Sequence, residues 1–254
     1  MDGIRIEKQD KVAIVTLDRP PVNAITLAHY QAIGEVFMDL GRAMDVNCAI
    51  FTASGGRAFC AGLDLNEFMA AKVEDDPARA AIVRECFARV RHCPIPVIAA
   101  VNGPALGAGA VLAAVCDIRI ASTAARFSMP EINVGRCGGG AHLGRLVGQG
   151  ALRRMFFTGQ PIDAAEALRL GLVEEVVEPE ALMPTALELA RLIASKSPLG
   201  LRMGKQSLNE IEFLPVEAGY EIEQGYSTRL MGTHDAREAT RAVLEKRPPV
   251  FTGA

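Results

Sequence analysis

No two of the six cysteines (Cys48, Cys60, Cys86, Cys93, Cys116, Cys137) stand in a C-x-x-C pair, so the commonest zinc and redox motifs are missing. Spread singly and mostly through apolar segments, they read as free buried thiols of a reducing compartment, not as disulfides or a metal site. An excess of charge of one sign is also missing. Against 30 acidic residues stand 27 basic ones, a net charge of −3, which gives no reason to expect nucleic acid or an anionic membrane as partner. The N-terminal stretch MDGIRIEKQDKVAIV carries charge where a secretory signal needs an apolar core, and the expectation is a cytosolic protein. Short-period repeats and low-complexity tracts are absent as well.

Several motifs are approached and missed. A charge-free run lies between Arg91 and Asp117, but Pro94, Pro96, Asn102, Gly103 and Pro104 break it and no basic flank follows, which argues against a membrane span. Gly107 and Gly109 begin a dinucleotide fingerprint whose third glycine position holds Leu112. Gly139 and Gly144 have P-loop spacing, yet Arg145-Leu146 follow in place of Lys-Ser or Lys-Thr. Around Ser54 there is no G-x-S-x-G, so a Ser-His hydrolase reading has no nucleophile elbow.

What is present is an ordinary globular composition: 254 residues, 50% hydrophobic and 22% charged, enough for a sizeable core. The organising stretch runs from Pro96 to Asp117. It reads as a strand (97–101), a turn at Asn102-Gly103-Pro104 and a buried helix opening at Gly107-Ala108-Gly109, apolar on every face. Such a helix start leaves N–H groups unpartnered, and small residues there let an oxygen approach the backbone.

Strands are expected at 4–7 and 12–17 around a turn at Gln9-Asp10, then at 49–53, 117–121 and 173–177. A helix over 26–44 has Leu27, Ile33, Phe37, Leu40 and Met44 at helical spacing, and another runs from Asp76-Pro77 to Arg91. Lys72 to Asp76 between them is polar and expected to be mobile. Later helices are expected at 150–158, 164–170, 180–195, 198–211, 215–231 and 234–246. Alternating strands and helices predict an α/β fold with parallel sheets over the first two thirds, followed by a helical last third. In that last third Leu199, Leu201, Met203, Ile211, Phe213, Leu214, Ile222, Tyr226 and Leu230 need a partner surface, either a second copy or the chain's own core.

Two glycine loops that follow strands, Ala61-Gly62-Leu63-Asp64 and Leu106-Gly107-Ala108-Gly109, offer backbone N–H groups. Two such groups converging on one oxygen make an oxyanion hole. A third loop, Ser128 to Gly135, sets Glu131 in an apolar context, where desolvation would raise its pKa toward general-base values, although spacing alone favours a helix-opening carboxylate after Pro130.

These segments carry a resemblance. Phe59 to Leu65, Pro96 to Gly109, Cys116-Asp117-Ile118 and Pro130-Glu131-Ile132 are similar to the crotonase, or enoyl-CoA hydratase/isomerase, superfamily. Leu17-Asp18-Arg19-Pro20 with Asn23-Ala24 resembles its N-terminal signature. Thr158-Gly159, Ala164 to Ala167 and Gly171-Leu172-Val173 resemble its later helical turn, and Glu245-Lys246-Arg247 its ending.

The resemblance implies a crotonase-like spiral of ββα turns, with an acyl-CoA core over residues 1–195 and a helical oligomerisation region over 196–254 that forms trimers, often paired into hexamers. It implies an acyl-CoA substrate and no metal or redox cofactor, coenzyme A entering as part of the substrate. Matched by position, Leu63 and Ala108 are the oxyanion donors, with Ala61, Gly62, Asp64, Gly107, Gly109 and Val111 lining the substrate. The family's hydratases use two glutamates. One matches Glu131; the other falls on Val111, which cannot titrate. A single base suffices to move a double bond from β,γ to α,β, so isomerisation is expected over hydration, with an inactive CoA binder as a further alternative. Glu74, Asp75, Asp76, Cys137 and His142 are the nearby groups that could replace the missing acid, and for His142 a structural hydrogen bond is expected first. Lys246 and Arg247 could meet CoA phosphates or form a solvated helix end.

Overall fold

The chain opens with an antiparallel hairpin, β1 (Ile4–Gln9) and β2 (Val12–Leu17). The computed structural model describes residues 3–254, so Met1 and Asp2, the start of the N-terminal stretch and of the 1–195 region, lie outside the described residues. The hairpin turns at Asp10 and Lys11, both with positive φ, one residue later than expected, because a tight turn matching the strand twist needs two such residues at its centre.

Helix α1 (Leu27–Arg42) leads to β3 (Cys48–Ala53), and the short α2 (Leu65–Ala70) precedes α3 (Asp76–Arg91). Then come β4 (Val97–Val101), β5 (Ala105–Leu106), α4 (Ala108–Ala114), β6 (Ile118–Ser122) and β7 (Arg126–Ser128). The remainder comprises α5 (Gly140–Leu143), α6 (Gln149–Thr158), β8 (Ile162–Asp163), α7 (Ala164–Arg169) and β9 (Glu175–Val177). The helices α8 (Leu182–Ala194), α9 (Pro198–Ile211), α10 (Val216–Met231) and α11 (His234–Leu244) close the chain. Helix α1 stops at Arg42, so Met44 leaves the predicted apolar stripe and is 66% exposed. Residues 73–75 form a 3-10 turn where a polar linker was expected.

Six strands form one sheet in the order β1-β2-β3-β4-β6-β9, parallel from β2 onward. Side chains alternate across it. Val12, Cys48, Ile50, Ile98, Ala100 and Ile120 face Leu182, Ala186, Ala190 and Ala194, a stripe of every fourth residue on α8. Their neighbours Ala13, Val15, Ala49, Phe51, Val97 and Ala99 enter the main core with α1 and α3. Both faces are covered, which is why these strands read as continuous apolar runs. Phe51 packs edge-on against Phe37 and Phe59; truncating so central a ring to alanine costs about 3–5 kcal/mol.

A smaller sheet, β5-β7-β8, continues through single bridges Cys60↔Ala105 and Ile25↔Leu63. It gathers the chain just beyond the carboxyl ends of β3, β4 and β6, where parallel sheets place their ligand sites. The helical last third is tied to this body through buried Lys205, which donates to Asp117 (2.7 Å) and to the Ile95 carbonyl (3.0 Å). Its apolar positions divide. Tyr226 is buried with its hydroxyl on Glu210 (2.8 Å), whereas Phe213 and Leu214 are exposed. No described helix is long and apolar enough to cross a membrane.

Candidate active site

The loop after β3 is held along the strand-like segment at Ile25. The Ile25 N–H donates to the Gly62 carbonyl (2.8 Å) and the Asp64 N–H to the Ile25 carbonyl (2.9 Å). With those two bonds facing Ile25, the intervening Leu63 N–H points the other way and has no partner among the described residues. The loop after β4 is fixed by Leu106 N–H on Cys60 O (2.9 Å) and Gly107 N–H on Ser128 O (2.9 Å), and Ala108 begins α4 with its N–H likewise unpartnered.

Gly62 (φ +95) and Gly107 (φ +53) hold backbone conformations that glycine adopts without strain. They are also needed for closeness. A Cβ on Gly62 would lie 3.0 Å from the Leu106 carbonyl and 3.8 Å from the Ala108 nitrogen, and one on Gly109 only 2.2 Å from the Cys60 carbonyl. The two free N–H groups therefore belong to loops in direct contact, as an oxyanion hole requires.

Glu131 comes to the same place from a third direction, on a 3-10 turn (Pro130–Val134) after β7. A Cβ on Gly107 would fall 2.6 Å from its Oε1, so the carboxylate rests on the glycine beside Ala108. Its Oε2 is buried with no hydrogen-bond partner, and burial raises its pKa above the ordinary 4.5. Those are the properties of a base waiting for a proton-bearing ligand. Val111, one turn into α4, is buried, and its Cγ2 and the Met129 side chain fill the space where a Cβ on Gly139 would stand. The contact between α4 and the Gly139 segment is therefore apolar.

Asp64 has a different task. Its Oδ1 caps α2, accepting from Asn66 N–H (2.9 Å) and Glu67 N–H (3.1 Å), and its Oδ2 pairs with Arg19 (2.8 Å). Arg19 also donates to the Ala24 carbonyl (2.7 Å), and Asn23 holds the Ser54 and Ala58 carbonyls (3.0 and 2.9 Å). These residues brace the loop that presents Ala61, Gly62 and Leu63. Arg19, Val22, Ala61, Leu63 and Asp64 border a cleft of about 450 Å³ on the outer side of this loop. A larger cavity of about 610 Å³ lies between α6 and α7 and contains no residue of these loops.

The enoyl-CoA hydratase/isomerase family model matches residues 7–254. The chain belongs to the enoyl-CoA hydratase/isomerase family. It is 37% identical over 251 residues to a short-chain-enoyl-CoA hydratase of Clostridium acetobutylicum, covering 97% of this chain and 96% of that protein. To a (7aS)-7a-methyl-1,5-dioxo-2,3,5,6,7,7a-hexahydro-1H-indene-carboxyl-CoA hydrolase of Mycobacterium tuberculosis it is 38% identical over 238 residues, 92% of this chain and 95% of the other. The crystal structure of an enoyl-CoA hydratase from Bacillus anthracis superposes with a TM-score of 0.96 at 31% identity, covering all of both chains. The spiral fold expected from the resemblance is thereby found.

The other groups that the sequence offered in place of a second acid are either engaged elsewhere or exposed. His142 on α5 stacks edge-on against Phe87 (5.5 Å) in place of the hydrogen bond expected for it, and burial lowers its pKa. Cys137 is exposed. Asp76 is paired with Arg136 (3.1 Å), while Glu74 and Asp75 are exposed in the 3-10 turn. Arg247 holds Glu238 with two hydrogen bonds (2.6 and 3.0 Å), pinning the terminal segment to α11. Among the described residues no group of three or more His, Cys, Asp or Glu could hold a metal ion. The sequence reading passed over Tyr30, which lies on the buried face of α1 with its ring edge-on to Phe87 (5.8 Å). Its signal was available: a polar-tipped ring between Leu27 and Ile33 on an otherwise apolar stripe.

Proposed function

We propose that this protein forms the enolate of an acyl-CoA thioester and that Glu131 acts as its only acid–base group, shifting a β,γ double bond to α,β. The Leu63 and Ala108 N–H groups receive the thioester oxygen. Glu131 takes a proton from C2 of the β,γ-enoyl group, the C2–H electrons become the C1–C2 bond of a dienolate, and negative charge gathers on the oxygen. The same carboxyl returns the proton at C4, leaving the double bond between C2 and C3. The CoA portion runs out through the cleft beside Arg19 and Ala61. The exposed Phe213, Leu214, Val216 and Tyr220 support a self-associating helical region.

The observation that carries this reading is the pairing of Glu131 Oε2, buried and unpartnered, with an apolar Val111 where the resemblance puts a second acid. A hydratase reading stands beside it because of the relatives' names, including a 2,3-dehydroadipyl-CoA hydratase of Escherichia coli at 36% identity. The test is mass-resolved turnover of one β,γ- and one α,β-enoyl-CoA, with the Glu131→Gln variant alongside. Isomer formed without added mass, and lost in the variant, supports the one-base reading. Addition of the mass of one water to the α,β substrate replaces it with hydration, and no turnover of either replaces it with a binding role or another acyl-CoA reaction.

A further inference from the structure

Arg136 comes just after the 3-10 turn of Glu131, and its N–H donates to the Glu131 carbonyl (2.9 Å). Its side chain crosses from that turn to the two helices that follow the Leu63 loop. The guanidinium lies over the Phe68 ring on α2, 4.7 Å from the centroid, and its Nη2 reaches the Asp76 carboxylate at the start of α3 (3.1 and 3.4 Å). One turn further along the same face of α3, Arg79 stands 3.8 Å from Glu67, the neighbour of Phe68. Glu67 in turn accepts from the Leu27 N–H (3.0 Å), where α1 starts close to Ile25. Arg136, Phe68, Glu67, Arg79 and Asp76 thus close a circuit, joined to the base through Arg136 and to the oxyanion loop through α2. Leu65 and Asn66 of α2 border the cleft on the Arg19 side, whereas Phe68 meets Arg136.

Both guanidiniums have capacity to spare. Arg79 is 21% exposed, yet 3.8 Å to Glu67 is too long for a hydrogen bond. A guanidinium carries five N–H donors, and Asp76 engages Arg136 through Nη2. We propose that Arg79 and Arg136 receive a carboxylate carried at the far end of the acyl group, so that coenzyme A thioesters of dicarboxylic acids are the preferred ligands. This rests on the acyl-CoA site above but not on which reaction occurs there. With the CoA portion in the cleft on one side of α2, the acyl chain runs past Glu131 toward the junction of its turn with the other side, where the arginines stand. A carboxylate meets the edge of a guanidinium with paired, charge-assisted hydrogen bonds that a methyl end cannot make. On binding it displaces Asp76 from Arg136 and gives Arg79 a partner within hydrogen-bond distance.

The test is calorimetric binding to the full chain of hexanoyl-CoA against adipyl-CoA, and of octanoyl-CoA against suberyl-CoA. The members of each pair are equal in chain length, and none has a double bond to move or hydrate. The parent should bind the diacid thioester of at least one pair tighter by roughly ten- to a hundredfold. Arg136→Gln and Arg79→Gln should each remove most of that preference and leave the monoacid affinity within about twofold. Asp76→Asn should enlarge it severalfold, because it withdraws the carboxylate that the ligand displaces; a pair that merely braces α3 would respond in the opposite sense. Equal affinities within both pairs overturn the proposal. So does a preference that survives both arginine variants, or one that Asp76→Asn abolishes. Failure of the acyl-CoA reading shows differently, as no binding of any of these thioesters, and ends both.

Discussion

Asp64 and Glu131 stand on two loops of one site, and their surroundings drive them in opposite directions. Asp64 is met by the Glu67 N–H, the Arg19 guanidinium and the Asn66 N–H, which hold its carboxyl below the ordinary 3.8. Glu131 has an oxygen that nothing meets, and burial pushes it up from 4.5. Both are acids at one of the two glycine loops, but only the one deprived of partners gains by taking a proton. In the proposed reaction a base differs from a brace in the supply of donors to its charged form.

The difference is broken most severely by Glu131→Gln. Removing a positioned general base should lower kcat/KM about a thousandfold for whichever enoyl-CoA is turned over. The amide carries no charge to bury, so the thermal midpoint should stay level or rise. A fall in activity together with unfolding would mean that Glu131 is a structural residue like Asp64.

A gentler break leaves the carboxyl in place and moves it. In Gly107→Ala the new methyl would stand 2.6 Å from Glu131 Oε1, at a φ of +53 that alanine tolerates poorly. Displacing the base by a fraction of an ångström should cost roughly ten- to a hundredfold in kcat/KM. Gly55→Ala is the matched control. Its φ is +73, but a Cβ there meets nothing within 4 Å, so it should destabilise without touching turnover.

The comparison can also be sharpened by pH. The base works ionised, so kcat/KM should rise about tenfold per pH unit on its acid side and level off above 4.5, where an ordinary glutamate has already ionised. In stability the sign is reversed. With its folded pKa raised, Glu131 makes the folded protein bind more protons than the unfolded chain just above pH 4.5, so acidifying through its pKa adds stability. Glu131→Gln should remove both the kinetic limb and this gain, and a limb that persists in the variant would assign it to another group.

Much of this was legible beforehand because it depends on local pattern. The apolar runs at 49–53 and 97–101 became central strands, and the glycines at 62 and 107 announced backbone that approaches something. Glu131 after Pro130 was visible as an acid in an apolar setting, but spacing alone did not distinguish a helix-opening carboxylate from a base. That distinction lies in Oε2 having no donor, a matter of three-dimensional surroundings. Tyr30 was missed for a similar reason, since a stripe at helical spacing shows that a ring is inside and not what its hydroxyl meets. Asp64 stands with the substrate-lining residues in the loop motif, while its bond to Arg19, forty-five positions away in the chain, appears only once the chain folds.

The smallest effect should come from Asp64→Asn. Asparagine keeps an oxygen that can cap α2, so the Asn66 and Glu67 N–H groups remain satisfied. What it loses is the charge facing Arg19, a pairing in which the guanidinium side chain is still 33% exposed and whose Coulomb energy is screened accordingly. Turnover should therefore stay within about threefold of the parent, since the acid takes no proton in the reaction. The thermal midpoint at neutral pH should fall modestly. Asp64 has a lowered folded pKa, so its contribution is fully present above pH 3.8 and fades as pH drops through the folded value. The gap in stability between parent and variant should accordingly be constant from neutral pH down to about 4 and close below it. A gap that stayed open under acid would mean that asparagine disturbs the loop itself. A thousandfold loss of turnover would put Asp64 beside Glu131 as a proton carrier and end the contrast between them.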